Sequence, residues 1–145
     1  MNILVAVDLS PASAKVVEAA GRVAKLTGAK VYLLHTAEPE PDFVGYDAGP
    51  EVVRTQVARE FRREHREIQA LADKLRNDGL DATALLIQGP TVETTLKEAE
   101  NLDAELIVVG THGHGAVYDV LVGSYSAGII RRSKRPVLVV PIRNA

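Results

Sequence analysis

Between Gly110 and Ser126 the chain reads Gly110-Thr111-His112-Gly113-His114-Gly115, then Ala116 to Val122, then Gly123-Ser124-Tyr125-Ser126. A short apolar run, Leu106 to Val109, leads in, and a helical pattern, Ser124 to Arg132, leads out. Glycines placed after a strand let the backbone approach a ligand with no Cβ in the way. Free amides at the start of the next helix, aligned with its dipole, favour an anion, and the hydroxyls of Ser124 and Ser126 can add hydrogen bonds. Holding a phosphate is the chemistry that suits these residue types. Spacing alone supports equally a glycine-containing loop in which Ser124 caps a helix. The stretch is no Walker loop, since no Gly-Lys-Ser/Thr follows. Nor is it a dinucleotide fingerprint, because Gly113-His114-Gly115 runs on into Ala116-Val117-Tyr118 and stands late in the chain.

Other residues compete for a chemical role. Asp8, closing the apolar run Ile3 to Val7, suits a ligand contact, a metal ligand, a catalytic base or a turn. His112 and His114 lack a third histidine or a cysteine nearby, which argues against a zinc site. His35 is expected to pack at a strand end and His65 to lie along a long helix, neither as a site residue. Ser124 lacks the Gly-x-Ser-x-Gly elbow of a hydrolase nucleophile. A response-regulator receiver fails twice: Ile87-Gln88-Gly89 stands where its aspartate would end strand three, and Lys134 precedes strand five instead of following it. The basic run Arg131-Arg132-Ser133-Lys134-Arg135 has no interleaved aromatics and reads as a helix C-terminus complementing its dipole.

These residues need elements to place them. Ile3–Val7, Val31–Leu34, Ala82–Ile87, Leu106–Val109 and Val137–Val140 are short apolar runs, as strands buried on both faces should be. Between them lie helical patterns. The first opens at Ser10-Pro11, with Ser10 as cap and Pro11 at the first helical position, carries Val16, Ala20, Val23 and Ala24, and stops at Gly28. The second runs from Glu51 with Val53, Val57, Phe61, Ile68, Leu71 and Leu75 on one face, its many charges read as a solvated face, and stops at Gly79. The third opens at Gly89-Pro90-Thr91 and the fourth at Ser124. A loop from Thr36 to Pro50 is expected to be irregular. Strands alternating with helices call for an α/β fold, an open parallel sheet with helices on both faces and its ligand site beyond the carboxyl ends of the strands.

At 145 residues, 46% apolar and 25% charged, the chain has the size and composition of one folded domain, 1–145. Its net charge of −2 provides no general attraction to nucleic acid or to an anionic membrane. There is no cysteine, hence no disulfide or thiolate chemistry. No apolar run reaches a spanning length, and a cytoplasmic location is expected.

Gly110, Gly113, Gly123 and Ser124 match at every position the Gly-x2-Gly-x9-Gly-Ser/Thr signature of the universal stress protein family, which the chain resembles over nearly its whole length. Ile3-Leu4-Val5-Ala6-Val7-Asp8 is similar to the family's first strand, with Ser10 where a serine often follows the aspartate. Leu34-His35, Gln88-Gly89-Pro90, Leu106 to Gly110 and Arg135 to Val140 are similar to its second-strand end, third-strand turn, and fourth and fifth strands. The resemblance implies the adenine nucleotide α-hydrolase-like fold, a five-stranded sheet in order 3-2-1-4-5. The glycine signature marks the family's ATP-binding branch. ATP would lie across strands one and four, usually with a divalent cation, Mg2+ or Mn2+. Asp8 and Ser10 would line the nucleoside side, the backbone at Thr36 would face adenine, and Gly110 and Gly113 would lie along ribose and phosphates. Gly123, Ser124, Tyr125 (through its amide) and Ser126 would hold the β and γ phosphates. His112 and His114 stand where many members carry a basic residue, so ATP affinity is expected to rise as the pH falls from 8 to 6.

The resemblance further implies a homodimer paired through strand five. The expected role is a nucleotide-dependent stress-response or signalling module, not an enzyme, since no catalytic base is evident. The alternatives are a slow ATPase or phosphotransferase using Asp8, and a structural dimer that binds no nucleotide.

Overall fold

Runs of Val, Ile and Leu too short for helices line up as parallel strands because both of their faces can then be buried under helices. The structure, a computed structural model, describes residues 1–37, 50–112 and 122–142, with the side chains of 50–57 excepted. In chain order the elements are β1 (Asn2–Ala6), α1 (Ser13–Thr27), β2 (Lys30–Ala37), α2 (Pro50–Asn77), β3 (Ala82–Gln88), α3 (Thr91–Asn101), β4 (Leu106–Gly110), α4 (Ser124–Arg132) and β5 (Val137–Val140). The strands form one parallel sheet in the order β3-β2-β1-β4-β5. The expected fold and strand order are those observed.

Alternation along the strands divides the core in two. Ile3, Val5, Val31, Leu33 and Val108 pack with α1 and α2 through Val16, Val17, Ala20, Ile68 and Leu75. Leu4, Leu34, Ile107 and Val109 pack on the other face with Ala99 of α3 and Ile129 of α4. Phe61, expected on the apolar face of α2, is instead exposed. Among the described side chains of that helix, Ile68 is the first that is fully buried.

Gly28, Gly79 and Gly89 have positive φ, and two of them mark element boundaries where the glycine is needed. Gly28 ends α1 in the left-handed region at φ 73°, its amide donating to Ala24 O at 2.8 Å. Gly89 turns β3 into α3 at φ 153°, where a Cβ would stand 2.5 Å from Thr94 Oγ1.

The start of α1 departs from expectation. Ser10-Pro11 does not open the helix, which begins at Ser13 with Ala12 in the cap position. Asp8 is the reason: its Oδ1 accepts from the Ser10 amide at 2.9 Å and from Ser13 Oγ at 3.0 Å, holding the intervening residues in a turn. β2 is longer than its apolar run, because His35, Thr36 and Ala37 continue to pair with Leu86, Ile87 and Gln88 of β3. Thr36 and Ala37 are therefore strand, not the irregular loop expected to begin there. Among the described residues no helix is long and apolar enough to cross a membrane.

Candidate functional site

A cleft of about 970 Å³ opens where the carboxyl ends of β1, β2 and β4 meet. This is the reversal point of the winding: β1 is followed outward by β2 on one side and by β4 on the other, so their crossover connections diverge and leave a crevice. The N-termini of α1, α3 and α4 border it through Ser13, Thr91 and Gly123-Ser124. All three helices direct the positive ends of their dipoles to the same space.

The structure places Asp8, Thr36, Gly110, Gly123, Ser124, Tyr125 and Ser126 together on the cleft walls. His112 also lines it, its Nδ1 3.1 Å from Thr111 Oγ1. Ser10 is not among the described lining residues; its hydroxyl is buried with no hydrogen-bond partner among the described residues. Gly113 and His114 lie outside the described residues.

At the α4 end, Gly123 precedes the helix with φ −69° and ψ 166°, and its amide donates to Thr111 O at 2.7 Å. The first helical bond runs from the Ala127 amide to Gly123 O at 2.9 Å. The amides of Ser124, Tyr125 and Ser126 are thus the orphan donors of the first turn. Ser124 is exposed, whereas Ser126 is buried and its hydroxyl donates to Gly110 O, tying the helix to the end of β4. That proton holds loop to helix, so Ser126 presents its amide to an anion more readily than its hydroxyl. Gly110 itself is packed closely: a Cβ would lie 3.1 Å from Val16 Cγ2 and 3.2 Å from Ile142 Cγ1.

Tyr125 anchors the same turn from behind. The Thr95 hydroxyl donates to Thr91 O at 2.8 Å, so the Tyr125 hydroxyl, 2.7 Å away, donates to Thr95 Oγ1. Burial pushes the Tyr125 hydroxyl up to about 12, which keeps it a neutral donor at physiological pH. The relay from α4 to α3 is reinforced outside the cleft by an ion pair of Arg132 with Glu93 at 3.0 Å.

The opposite end is built by β2 and α2. Leu34 O accepts from the Val7 amide at 2.9 Å, so Leu34 faces β1; Ala37 O accepts from the Gly89 amide at 3.1 Å on the β3 side. Since backbone groups alternate edges along a strand, both the N–H and the C=O of Thr36 point to the β1 side. The last register pair of β1 with β2 is Ala6 with Leu34. Thr36 therefore presents one donor and one acceptor, side by side, past the end of β1 and into the cleft.

Above them stand Glu60, Arg63, Glu64 and Glu67 of α2. Arg63 pairs with Glu60 and with Glu67, and holds the Glu60 carboxyl below the usual carboxylate range. His35 contacts Glu64 through Nε2 and lies 2.9 Å from Val7 O through Nδ1. None of these α2 residues, nor His35, was expected at a site. The available signal was the spacing of Glu60, Glu64 and Glu67, which puts three carboxylates on one helical face in line with Ile68. Among the described lining residues Arg63 is the one lysine or arginine. Among the described residues, what meets an anion at the α4 end is amides and dipoles, not a lysine or arginine side chain. No cluster of three or more histidine, cysteine, aspartate or glutamate residues suited to a metal is found among the described residues.

The universal stress protein family model matches residues 1–141. A universal stress protein of Thermus aquaticus is 34% identical over 139 residues, covering 96% of this chain and 97% of its own. Among solved structures, protein MJ0577 superposes with a TM-score of 0.81 at 23% identity over 99% of this chain and 97% of its own. A universal stress protein crystallised in complex with cAMP superposes with a TM-score of 0.70 at 24% identity, over 97% of this chain and 96% of its own.

Proposed function

Since the chain belongs to the universal stress protein family, we propose that its cleft binds ATP, with adenine at Thr36 and the triphosphate at the first turn of α4, and that occupancy rather than turnover is the signal. The observation that carries this reading is the pairing of the two ends. A strand edge offering one N–H beside one C=O complements adenine, whose N1 accepts and whose N6 amine donates. Across the cleft, the orphan amides of Ser124, Tyr125 and Ser126 complement a phosphate. The relative crystallised with cAMP supports an adenine nucleotide in this fold. Mg2+ or Mn2+ would enter with the phosphates, since such a cation commonly takes its ligands from phosphate oxygens, waters and one or two carboxylates. Asp8 is the carboxylate nearest in sequence to the Ser13 end of the cleft, and its Oδ1 already serves the turn. That commitment suits positioning better than proton transfer, so the protein is read as a binding module and not as an enzyme.

Guanine has a donor at N1 and an acceptor at O6, the reverse of adenine. Placed against Thr36 it leaves both backbone groups facing like groups. Calorimetric titration is expected to show ATP binding about 100-fold more tightly than GTP, about 2.7 kcal/mol. Equal affinity would remove adenine from Thr36.

The reading includes a homodimer. Val137–Val140 forms the β5 edge of the sheet, and all four residues are only half-buried. An apolar edge of this kind needs covering, and a second copy of the same strand does so symmetrically. Light scattering at micromolar concentration is expected to give twice the chain mass of 15.6 kDa; a monomer would count against it.

A further inference from the structure

α2 changes character along its length. Ile68, Ala72 and Leu75 are buried against the sheet, whereas residues 59–63, 65 and 66 are exposed. Continued upward in helical register, the apolar face becomes Glu64 and Glu60, and this half of the helix forms a wall of the cleft. Among the described residues, the one side-chain hydrogen bond joining this half of α2 to the sheet is His35 with Glu64.

Hydrogen-bond accounting fixes what that tie requires. Val7 O only accepts, so His35 Nδ1 carries a hydrogen and donates to it. Nε2 then faces a carboxylate oxygen of Glu64. A bare imidazole lone pair against an ionised carboxylate is repulsive, so the contact holds only with one further proton, on the ring or on Glu64. The geometry points to the His35–Glu64 pair as a proton-dependent latch that keeps the α2 wall over the nucleoside end of the cleft. With the proton in place, the wall covers the bound base; without it, the wall is released and the nucleoside is held more weakly. The inference rests on the adenine-nucleotide reading above.

Among the described residues, the other charged or titratable groups lining the cleft are Glu60, Arg63 and Glu67 on α2, Asp8 after β1, His112 after β4 and Tyr125 on α4. Arg63 pairs with both of its glutamate neighbours and offsets one of their two negative charges. His112 lies at the other end and meets an anion only when the ligand has phosphates. His35 and Glu64 are therefore positioning residues, and adenosine isolates their effect from that of His112.

Glu64→Gln supplies the decisive variant. With Nδ1–H given to Val7 O, the neutral ring accepts at Nε2 from the glutamine amide, so the tie persists without the extra proton. Glu64→Ala removes the tie at every pH. Calorimetric affinities for adenosine and for ATP, measured from pH 6 to pH 9, separate the cases. Wild-type affinity for adenosine is expected to fall roughly tenfold with rising pH, the glutamine variant to stay within about twofold, and the alanine variant to be weak throughout. Amide exchange over residues 58–67 should be faster in the alanine variant, with residues 68–75 unchanged. A glutamine variant that titrates like wild type, or a flat wild-type profile, overturns the latch alone. Wild type binding neither adenosine nor ATP at any pH overturns the nucleotide reading and the latch with it.

Discussion

Gly123→Val is expected to abolish the stabilisation that Mg-ATP confers on the wild type. Binding at 100 times the dissociation constant is worth about 2.7 kcal/mol. For a chain of this length that raises the melting midpoint by roughly 5–10 °C. The variant should shift by less than about 2 °C under the same conditions. The glycine is not demanded by the backbone: φ is −69°, and an added Cβ would meet Thr111 O at 3.4 Å and His112 Cα at 3.8 Å, ordinary contacts. The unliganded variant should therefore melt within about 3 °C of wild type. What the side chain would occupy is the approach to the orphan amides of Ser124 to Ser126. Scanning both proteins with and without Mg-ATP checks this. Equal stabilisation would place the phosphates elsewhere in the cleft.

The contrast between Gly123 and Gly110 shows what a spacing pattern carries and what it omits. Both belong to one signature, and both line the cleft. Gly110, however, is wedged between Val16 and Ile142, so its small size also serves packing of α1 against the chain after β5. Only the folded arrangement separates the two demands. β1, β4 and β5 were legible because, apart from Asn2 at the start of β1 and Gly110 at the end of β4, their residues are an uninterrupted run of Val, Ile, Leu and Ala. β2 was read short because His35 and Thr36 are polar: they pair with β3 beyond the last contact of β2 with β1, at the edge of the cleft. The start of α1 was misplaced because a serine-proline pair is a sound local signal, and Asp8 overrode it through a turn.

The candidate residues that the structure gathers are mostly those contiguous in sequence, at the ends of β1 and β4 and the start of α4. His35 and Glu64 escaped because they are 29 residues apart and meet only through tertiary packing. The charges of α2 looked like a solvated face, and for Arg59, Arg62 and Arg66 they are. Glu64 sits on the same helix one turn above Ile68, where the buried stripe leaves the sheet and passes over the cleft. Helical periodicity gives the stripe its direction but not the height at which the sheet ends.

Asp8→Ala is expected to lose both stability and nucleotide binding, and Asp8→Asn to retain both. Asp8 Oδ1 accepts two hydrogen bonds, from the Ser10 amide and Ser13 Oγ, across a turn in which Leu9 adopts the left-handed region at φ 62°. A leucine there is strained, and the side-chain bonds are what offset the strain. Alanine leaves the half-buried turn without its acceptor, a destabilisation of about 2 kcal/mol, measurable as a lower urea midpoint at unchanged slope. The same turn forms the cleft wall between β1 and α1, so ATP affinity should fall more than about tenfold when it relaxes. Asparagine keeps an oxygen in place and removes a negative charge from a cleft already lined by Glu60, Glu64 and Glu67. Its urea midpoint should match wild type within about 0.5 kcal/mol, and its ATP affinity should be equal or higher. Turnover gives the contrary result its meaning. If wild type released phosphate over many cycles and Asp8→Asn bound ATP without releasing it, the carboxylate would be acting on water or on a cation at the γ phosphate. The cleft would then be an active site rather than a holding site.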